Sequence, residues 1–238
     1  FPHNSRNPLG RVIDILGLVG EADTEMHAIV AEFGFNTRFP DAVIEETDAI
    51  PNEILSKDWG ERTDMRDAFC ITIDPADAKD FDDAISLGKD AAGNILLGVH
   101  IADVSHFVTP GSAIDKEAVM RGTSVYLVDR TIPMLPEKLS NDLCSLKPNV
   151  DRLAFSVLFT LNEKFEVIGE WFGKTVINSK RRFAYEEAQA VIETKKGDHV
   201  EELLLLNRIA KHFEAIRFAN GALRFESKEI RFKFDENK

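Results

Sequence analysis

The sequence Ile73-Asp-Pro-Ala-Asp-Ala-Lys-Asp-Phe-Asp-Asp-Ala84 places five carboxylates within ten positions, directly after the apolar run Phe69-Cys-Ile-Thr-Ile73. The apolar run favours a β-strand, because it is short, rich in β-branched and aromatic residues, and ends at Asp74-Pro75. Carboxylates this close together repel one another by roughly 1 to 4 kcal/mol per pair unless a cation lies among them. The pattern therefore predicts a strand that carries an acidic loop, residues 74–83, at its end.

Two interpretations of the acidic loop follow from its chemistry. Charge runs are usually solvated surface, so a plain exposed loop is one of them. The other is a metal site, because hard carboxylate oxygens select Mg²⁺, Mn²⁺ or Ca²⁺ over zinc. Phe81 inside the loop and the apolar residues Ile73 and Ile85 around it tie the loop to buried structure, which favours the metal site. An EF-hand does not fit, because the loop lacks the glycine at its sixth position and a terminal glutamate in register.

The segments around the loop predict an α+β fold with a mixed or antiparallel sheet and flanking helices. Alternating or apolar patterns indicate strands at 11–17, 84–87, 95–101, 123–128, 152–161 and 167–177. Helices are expected from Asp23 or Thr24 to Gly34, from Ser112 to Arg121, over 185–194, and over 198–220 with Asp198 and Glu201 in capping positions. Hairpins in the middle of the chain and helices at its end argue against a doubly wound parallel sheet.

Composition limits the classes of protein that fit. The chain has 238 residues, of which 44% are hydrophobic, enough for a sizeable core. Its formal charge of −12 would repel a polyanion as a whole, which is the main argument against a nucleic-acid partner. Cys70 and Cys144 lack metal-ligand spacing and are expected to be reduced thiols. No apolar run reaches the roughly 18 residues of a membrane span, so a cytoplasmic protein without membrane contact is expected.

Several segments, in order, resemble the RNB catalytic domain shared by ribonuclease II and ribonuclease R, and ribonuclease R most closely. They are the acidic loop with its flanks, Gly98-Val-His-Ile-Ala-Asp-Val-Ser-His-Phe-Val108, Arg121-Gly-Thr-Ser-Val-Tyr-Leu127 and Ile132-Pro-Met-Leu-Pro-Glu-Lys-Leu-Ser-Asn-Asp-Leu-Cys-Ser-Leu146. The opening Asn7-Pro-Leu-Gly-Arg-Val-Ile-Asp-Ile-Leu-Gly17 resembles the end of the cold-shock-like OB domain that precedes it. The resemblance implies three parts: the end of an OB domain at 1–20, a connector with short helices at 21–66, and the front part of the RNB domain at 67–238.

The resemblance also implies a function: hydrolytic 3′→5′ degradation of single-stranded RNA to 5′-mononucleotides, assisted by Mg²⁺ or alternatively Mn²⁺. Asp74, Asp80, Asp82 and Asp83 match the four functional aspartates, whereas Asp77 falls at a variable position. We expect Asp74 and Asp83 to bind a metal directly. Asp80 and Asp82 would hold a second metal or the terminal ribose hydroxyls.

Two aromatic residues match positions that contact the RNA end in this family. Tyr126 matches a tyrosine that stacks on the terminal base, and Phe225, in Gly221-Ala-Leu-Arg-Phe225, matches an aromatic on the opposite side of the RNA. Judged without the resemblance, a place in the hydrophobic core is the favoured interpretation for each residue. The RNB domain of relatives continues to an active-site arginine and glutamate and is followed by an S1 domain, so residues 1–238 alone are expected to have little nuclease activity.

Other candidates and other functions stay open at this level. His100 and His106 are metal-ligand candidates, but a structural role is favoured because His100 lies within an apolar strand pattern. The basic run Lys180-Arg-Arg182 fits either phosphate binding or a solvated turn. A non-catalytic RNA-binding relative would be expected to lose an aspartate, and all four are retained. An acidic Ca²⁺-binding or protein-interaction module is the alternative from a different class.

Overall fold

The computed structural model describes residues 10–12, 15–54, 56–127 and 130–225. The described part of the chain is an α+β structure, as predicted. Its strands are β1 (Thr63–Met65), β2 (Phe69–Asp74), β3 (Asp83–Lys89), β4 (Ile95–Ala102), β5 (Val125–Tyr126), β6 (Thr131–Ile132), β7 (Asp151–Leu161), β8 (Val167–Asn178) and β9 (Arg181–Ala184). Its helices are α1 (Ala22–Glu32), α2 (Asp41–Ala49), α3 (Ser56–Trp59), α4 (Ala113–Arg121), α5 (Tyr185–Thr194) and α6 (Val200–Ala219). A 3₁₀ turn spans Val104–His106 and a π-helical turn spans Leu139–Leu143.

Seven strands form one mixed sheet in the order β1-β8-β7-β4-β3-β2-β9. The central neighbours are antiparallel, whereas β1 pairs with β8 and β9 pairs with β2 in parallel. The pair β5-β6 forms a separate two-stranded sheet. This topology confirms the predicted hairpin at 152–177, in which Asp151 faces Asn178.

Each face of the large sheet carries its own hydrophobic core. On one face, Ile114 of α4, Val43 of α2 and Leu139 of the π-helical turn pack over Cys70 and Ala154 of the sheet. On the other face, helices α5 and α6 pack over the sheet, and the buried members include Ile71, Leu97, Phe183, Val191 and Leu203. The sheet is therefore held as a rigid layer between two sets of helices, and its strand ends have fixed positions.

Local sequence signals account for several element ends. The Ser112 hydroxyl accepts a hydrogen bond from the Asp115 amide at 3.1 Å at the predicted start of helix α4. The helix ends at Arg121, as predicted, and Gly122 follows it with φ 72°. Helix α5 spans its predicted range. Both cysteines are buried free thiols, and burial raises the pKa of each to about 12.

Three expectations at element ends are wrong. The described residues 11, 12 and 15–17 form no strand, although their alternation resembles one. Helix α1 begins at Ala22, before the predicted Asp23 or Thr24. Helix α6 begins at Val200 after His199 with φ 53°, so Asp198 does not cap it; the Asp198 carboxylate instead lies 3.6 Å from the Arg181 guanidinium. Among the described helices, none combines the length and apolar character needed to cross a membrane.

Candidate active site

The acidic loop lies at one edge of the large sheet because its two flanking strands are antiparallel. Phe69 pairs with Leu87 and Ile71 with Ile85, so the end of β2 and the start of β3 meet at the same edge. Strand β4 ends there too, and the Ala102 amide donates a 2.9 Å hydrogen bond to the Asp82 carbonyl. Asp74 is the last residue of β2 and Asp83 the first of β3. The two aspartates expected to bind a metal directly are therefore brought to one edge by the strand pairing.

Ser145 anchors the second half of the acidic loop. Its hydroxyl accepts a 3.0 Å hydrogen bond from the Phe81 amide and donates a 2.9 Å bond to the Lys79 carbonyl. The Leu146 amide donates to the Phe81 carbonyl at 2.8 Å, and the Phe81 ring is buried in the first core. The Ser145 carbonyl in turn accepts a 2.8 Å bond from Nε of the buried Arg152. Side chains outside the loop therefore fix the backbone that carries Asp80 and Asp82.

Arg182 anchors the first half of the loop. Its Nη2 atom lies 2.5 Å from the Pro75 carbonyl oxygen and 2.9 Å from the Ala76 carbonyl oxygen. Its guanidinium carbon lies 5.5 Å from the centre of the Phe81 ring. From the sequence, the Lys180-Arg-Arg182 run could be either a solvated turn or a phosphate-binding site. The structure places Arg181 and Arg182 in strand β9, and Arg182 contacts the loop backbone.

The carboxylates of the loop are close enough to perturb one another. Asp74 is 8% exposed; burial raises its pKa, and the neighbouring Asp83 carboxylate raises it further. Loss of hydration raises the pKa of Asp82, and Asp80 and Asp83 raise it further. Burial is the larger cause for both residues, and repulsion by the neighbouring aspartates adds to it. The acidic side chains of the loop therefore interact electrostatically.

Tyr126 lies beside this cluster. Its hydroxyl donates a 3.1 Å hydrogen bond to Oδ2 of Asp80, and 67% of its surface is exposed, so one face of the ring is open to a ligand. Loss of hydration and the Asp80 carboxylate both raise the pKa of the Tyr126 hydroxyl. Phe225 is 86% exposed and follows helix α6 at the last described position, and no hydrogen bond or ring contact between described residues joins it to the aspartates.

The carboxylates of the cluster are ligands of the kind that a hard divalent cation prefers, but they do not form a complete coordination site. Within the residues that the structure describes, no three His, Cys, Asp or Glu side chains converge closely enough to hold a metal ion. Mg²⁺ commonly uses one or two carboxylates and completes its shell with water and phosphate oxygens. The repulsion between Asp83 and its neighbours Asp74 and Asp82 is the feature that such a cation would relieve. The residues therefore fit a cation that shares its ligands with a substrate.

The two histidines of the 98–108 segment, His100 and His106, contact neighbouring side chains of the fold. His100 is fully buried; its Nδ1 lies 2.7 Å from the Ser156 hydroxyl and its Nε2 lies 2.8 Å from the Ser86 hydroxyl. Burial lowers the pKa of His100 to about 4. His106 ends a 3₁₀ turn and packs its ring edge against Phe107. Both histidines thus take the structural role that the sequence favoured.

Sequence reasoning missed Ser145 and the role of Arg182. Each acts through contacts with residues more than 60 positions away, which no local pattern reveals. The one available signal was that Ser145 lies inside a segment resembling the RNB domain. The four aspartates could be proposed from the sequence because all of them lie within one short loop that resembles the RNB domain.

The fold and the acidic cluster define an RNB-type domain, and the chain belongs to the RNB domain family. The profile of that family matches residues 62–238, and a cold shock domain profile matches residues 1–40. Among curated proteins, the chain is similar to ribonuclease R of Chlamydia trachomatis, with 42% identity over 225 residues, covering 94% of this chain and 32% of the relative. It is also 42% identical to the human exosome complex exonuclease RRP44, covering 99% of this chain and 25% of that protein. The chain thus spans about a quarter to a third of the relatives' length.

Solved structures give the same result for the fold. Ribonuclease R of Mycoplasma genitalium in complex with ribose-methylated single-stranded RNA has a TM-score of 0.82 and 28% identity, covering 93% of this chain and 35% of that chain. The same enzyme in complex with double-stranded RNA has a TM-score of 0.83, with coverage of 93% and 40%. A yeast pseudonuclease, 22% identical with a TM-score of 0.73 and coverage of 92% and 28%, shares the fold alone.

Proposed function

We propose that this chain forms part of a hydrolytic 3′→5′ exoribonuclease that degrades single-stranded RNA to 5′-mononucleotides. The observation that carries the proposal is the cluster of mutually repelling aspartates at one sheet edge, hydrogen-bonded through Asp80 to the exposed Tyr126. Membership of the RNB family and similarity to ribonuclease R and the exosome exonuclease support the choice of RNA as substrate.

A divalent cation is the cofactor that this site requires. Asp74, Asp80, Asp82 and Asp83 would hold it, and Mg²⁺, with Mn²⁺ as an alternative, is the ion that hard oxygen ligands favour. When bound, such an ion lowers the pKa of an attacking water and stabilises the leaving 3′ oxygen. The protein's own part is to hold the four aspartates on one loop, whose backbone Ser145 and Arg182 anchor.

Tyr126 would bind the terminal base of the RNA. Its exposed ring offers a stacking surface, and stacking on an aromatic side chain contributes about 1 to 3 kcal/mol per base without selecting a sequence. The hydrogen bond to Asp80 fixes the ring next to the acidic cluster, so a stacked base has its phosphodiester near the carboxylates. Phe225 is proposed to close the opposite side of the RNA end.

The decisive experiment replaces Asp83 by Asn in the protein at its full natural length. The change is nearly isosteric and removes one ligand charge. We expect RNA binding to persist and Mg²⁺-dependent release of 5′-mononucleotides to fall by about 100-fold or more, since even the outer partners of metal ligands are worth roughly 10 to 100-fold. Asp77→Asn, in the same loop but at the variable exposed position, is the matched control and should keep its activity.

Unchanged turnover in Asp83→Asn would defeat the assignment of the site. Calorimetry on residues 1–238 separates the other class of function. Binding of Ca²⁺ in preference to Mg²⁺ and Mn²⁺, without binding of single-stranded RNA, would identify a cation-binding interaction module instead.

A further inference from the structure

Arg182 occupies a particular position relative to the aspartates. Strands β2 and β9 are parallel, and Arg182 pairs in register with Thr72, two residues before Asp74. Because successive side chains of a strand point to opposite faces of the sheet, Thr72 and Asp74 lie on the same face of β2. Arg182, the neighbour of Thr72, therefore lies on the face that carries Asp74. From there its guanidinium reaches the carbonyls of Pro75 and Ala76, the first two residues after Asp74.

Arg182 is partly buried beside the acidic loop. Its Nε atom is buried, as are Oγ1 of Thr72 and Oδ2 of Asp74, and within the described residues none of the three has a hydrogen-bond partner. The Arg182 guanidinium thus has a buried Nε atom and an Nη2 atom bonded to the Pro75 and Ala76 carbonyls, which ties it to the acidic loop.

The Pro75 carbonyl links Arg182 to the loop's own turn. It accepts from Arg182 and also from the Ala78 amide at 3.1 Å, which closes the turn at residues 75–78. Ser145 holds the loop only at Lys79 and Phe81. Without Arg182, residues 75–78 would keep only that turn hydrogen bond among the hydrogen bonds between described residues.

We propose that Arg182 is a positioning residue, which fixes the backbone between Asp74 and Asp80 so that the aspartates are held ready for a cation and an RNA end. The benefit of this positioning for catalysis rests on the proposed function, whereas the ordering of the loop by Arg182 does not depend on it. A hydrogen bond from a charged donor to these carbonyls orders a segment that would otherwise have few tertiary contacts.

The neighbouring Arg181 provides a matched control. It carries the same charge on the same short strand, but it lies on the opposite face of the sheet, where its guanidinium carbon is 4.7 Å from the centre of the Phe183 ring. Its ionic partners are Glu187 and Asp198, outside the acidic loop. Loss of Arg181 therefore removes one positive charge without removing a loop contact.

Amide hydrogen exchange on metal-free residues 1–238 tests the inference. In Arg182→Ala the Ala78 amide should exchange at least about 10-fold faster, as expected from losing a charged hydrogen bond, whereas amides of β7 and β8 keep their rates. Arg182→Lys should recover part of the protection, and Arg181→Ala should leave the loop unchanged. Unchanged exchange of Ala78 in Arg182→Ala, or an equal acceleration throughout the sheet, overturns the inference.

Mn²⁺ binding, measured by calorimetry, gives a second readout whose sign is informative. If Arg182 positions the loop, Arg182→Ala should weaken Mn²⁺ binding by about 10-fold, the scale of losing a partner that orients a metal ligand. If Arg182 acts only as a repelling charge, its removal should tighten binding, and that result also overturns the inference. Failure of the unmodified chain to bind Mn²⁺ would count against the proposed function, while hydrogen exchange would still decide the role of Arg182.

Discussion

Replacing Ser145 by Ala should lower the free energy of unfolding by about 2 to 4 kcal/mol. The hydroxyl has two partners, the Phe81 amide at 3.0 Å and the Lys79 carbonyl at 2.9 Å. The amide is buried, and a buried donor left without a partner costs about 1 to 3 kcal/mol. The carbonyl is partly exposed, so its loss adds about 1 kcal/mol. Both groups lie in the acidic loop, so Mn²⁺ binding should weaken along with stability.

Urea unfolding of residues 1–238, followed by circular dichroism, measures this change. Ser140→Ala is the matched control, because the contacts of the Ser140 hydroxyl are all long: 3.4 Å to the Leu135 carbonyl, 3.5 Å to the Pro136 carbonyl and 3.4 Å to Oδ1 of Asn141. Its substitution should cost less than about 0.5 kcal/mol. Equal losses in Ser145→Ala and Ser140→Ala would refute the claim that Ser145 anchors the loop.

Three further predictions concern the sheet and the stacking tyrosine. Gly98→Ala should destabilise the chain by about 1 to 3 kcal/mol, because the added Cβ would lie 2.2 Å from the Ser86 hydroxyl oxygen, whereas Gly88→Ala, with its nearest atom at 3.9 Å, should change the urea midpoint little. Burial lowers the pKa of His100 to about 4. As the pH falls below the ordinary histidine pKa, this side chain therefore stays neutral in the folded state but gains a proton in the unfolded chain. Stability should therefore fall as pH drops from about 6.5 to 4, by up to about 3 kcal/mol; His100→Gln should flatten that slope in urea titrations, and an unchanged slope would contradict the assignment. Tyr126→Phe should retain single-stranded RNA affinity, whereas Tyr126→Ala should lose about 1 to 3 kcal/mol of it; equal affinities in fluorescence anisotropy would exclude stacking.

The helices and strands that could be predicted are those whose formation depends on residues within or next to the element itself. The hairpin of β7 and β8 follows from two long alternating strands around a turn, and helix α4 follows from a capping serine and a terminating glycine. Strands β1 and β9 were not predicted. They have three and four residues, and each pairs in parallel with a strand far away in sequence, so no local pattern distinguishes them from a loop.

The same distinction applies to the site. Asp74 and Asp83 were expected to lie together because both belong to one short acidic loop and because of the family resemblance. The antiparallel pairing of β2 with β3, which brings them to one edge, came from the structure. The approach of Tyr126 to Asp80 came only from the family resemblance, since 46 positions separate the two residues. Arg182 looked like part of a solvated basic run, because its contacts with Pro75 and Ala76 depend on the pairing of β9 with β2.

The charge of the chain and its proposed RNA substrate can be reconciled through the acidic loop. A net charge of −12 opposes the approach of a phosphate backbone, and the opposition is strongest where Asp74, Asp80, Asp82 and Asp83 meet. Under the proposed function, a bound divalent cation would reverse the sign of that interaction, because it attracts phosphate oxygens as well as carboxylates. The repulsion would then make the cation a condition for placing the RNA end, while Tyr126 would contribute affinity that does not depend on charge. The proposed function therefore requires both the metal and the stacked base.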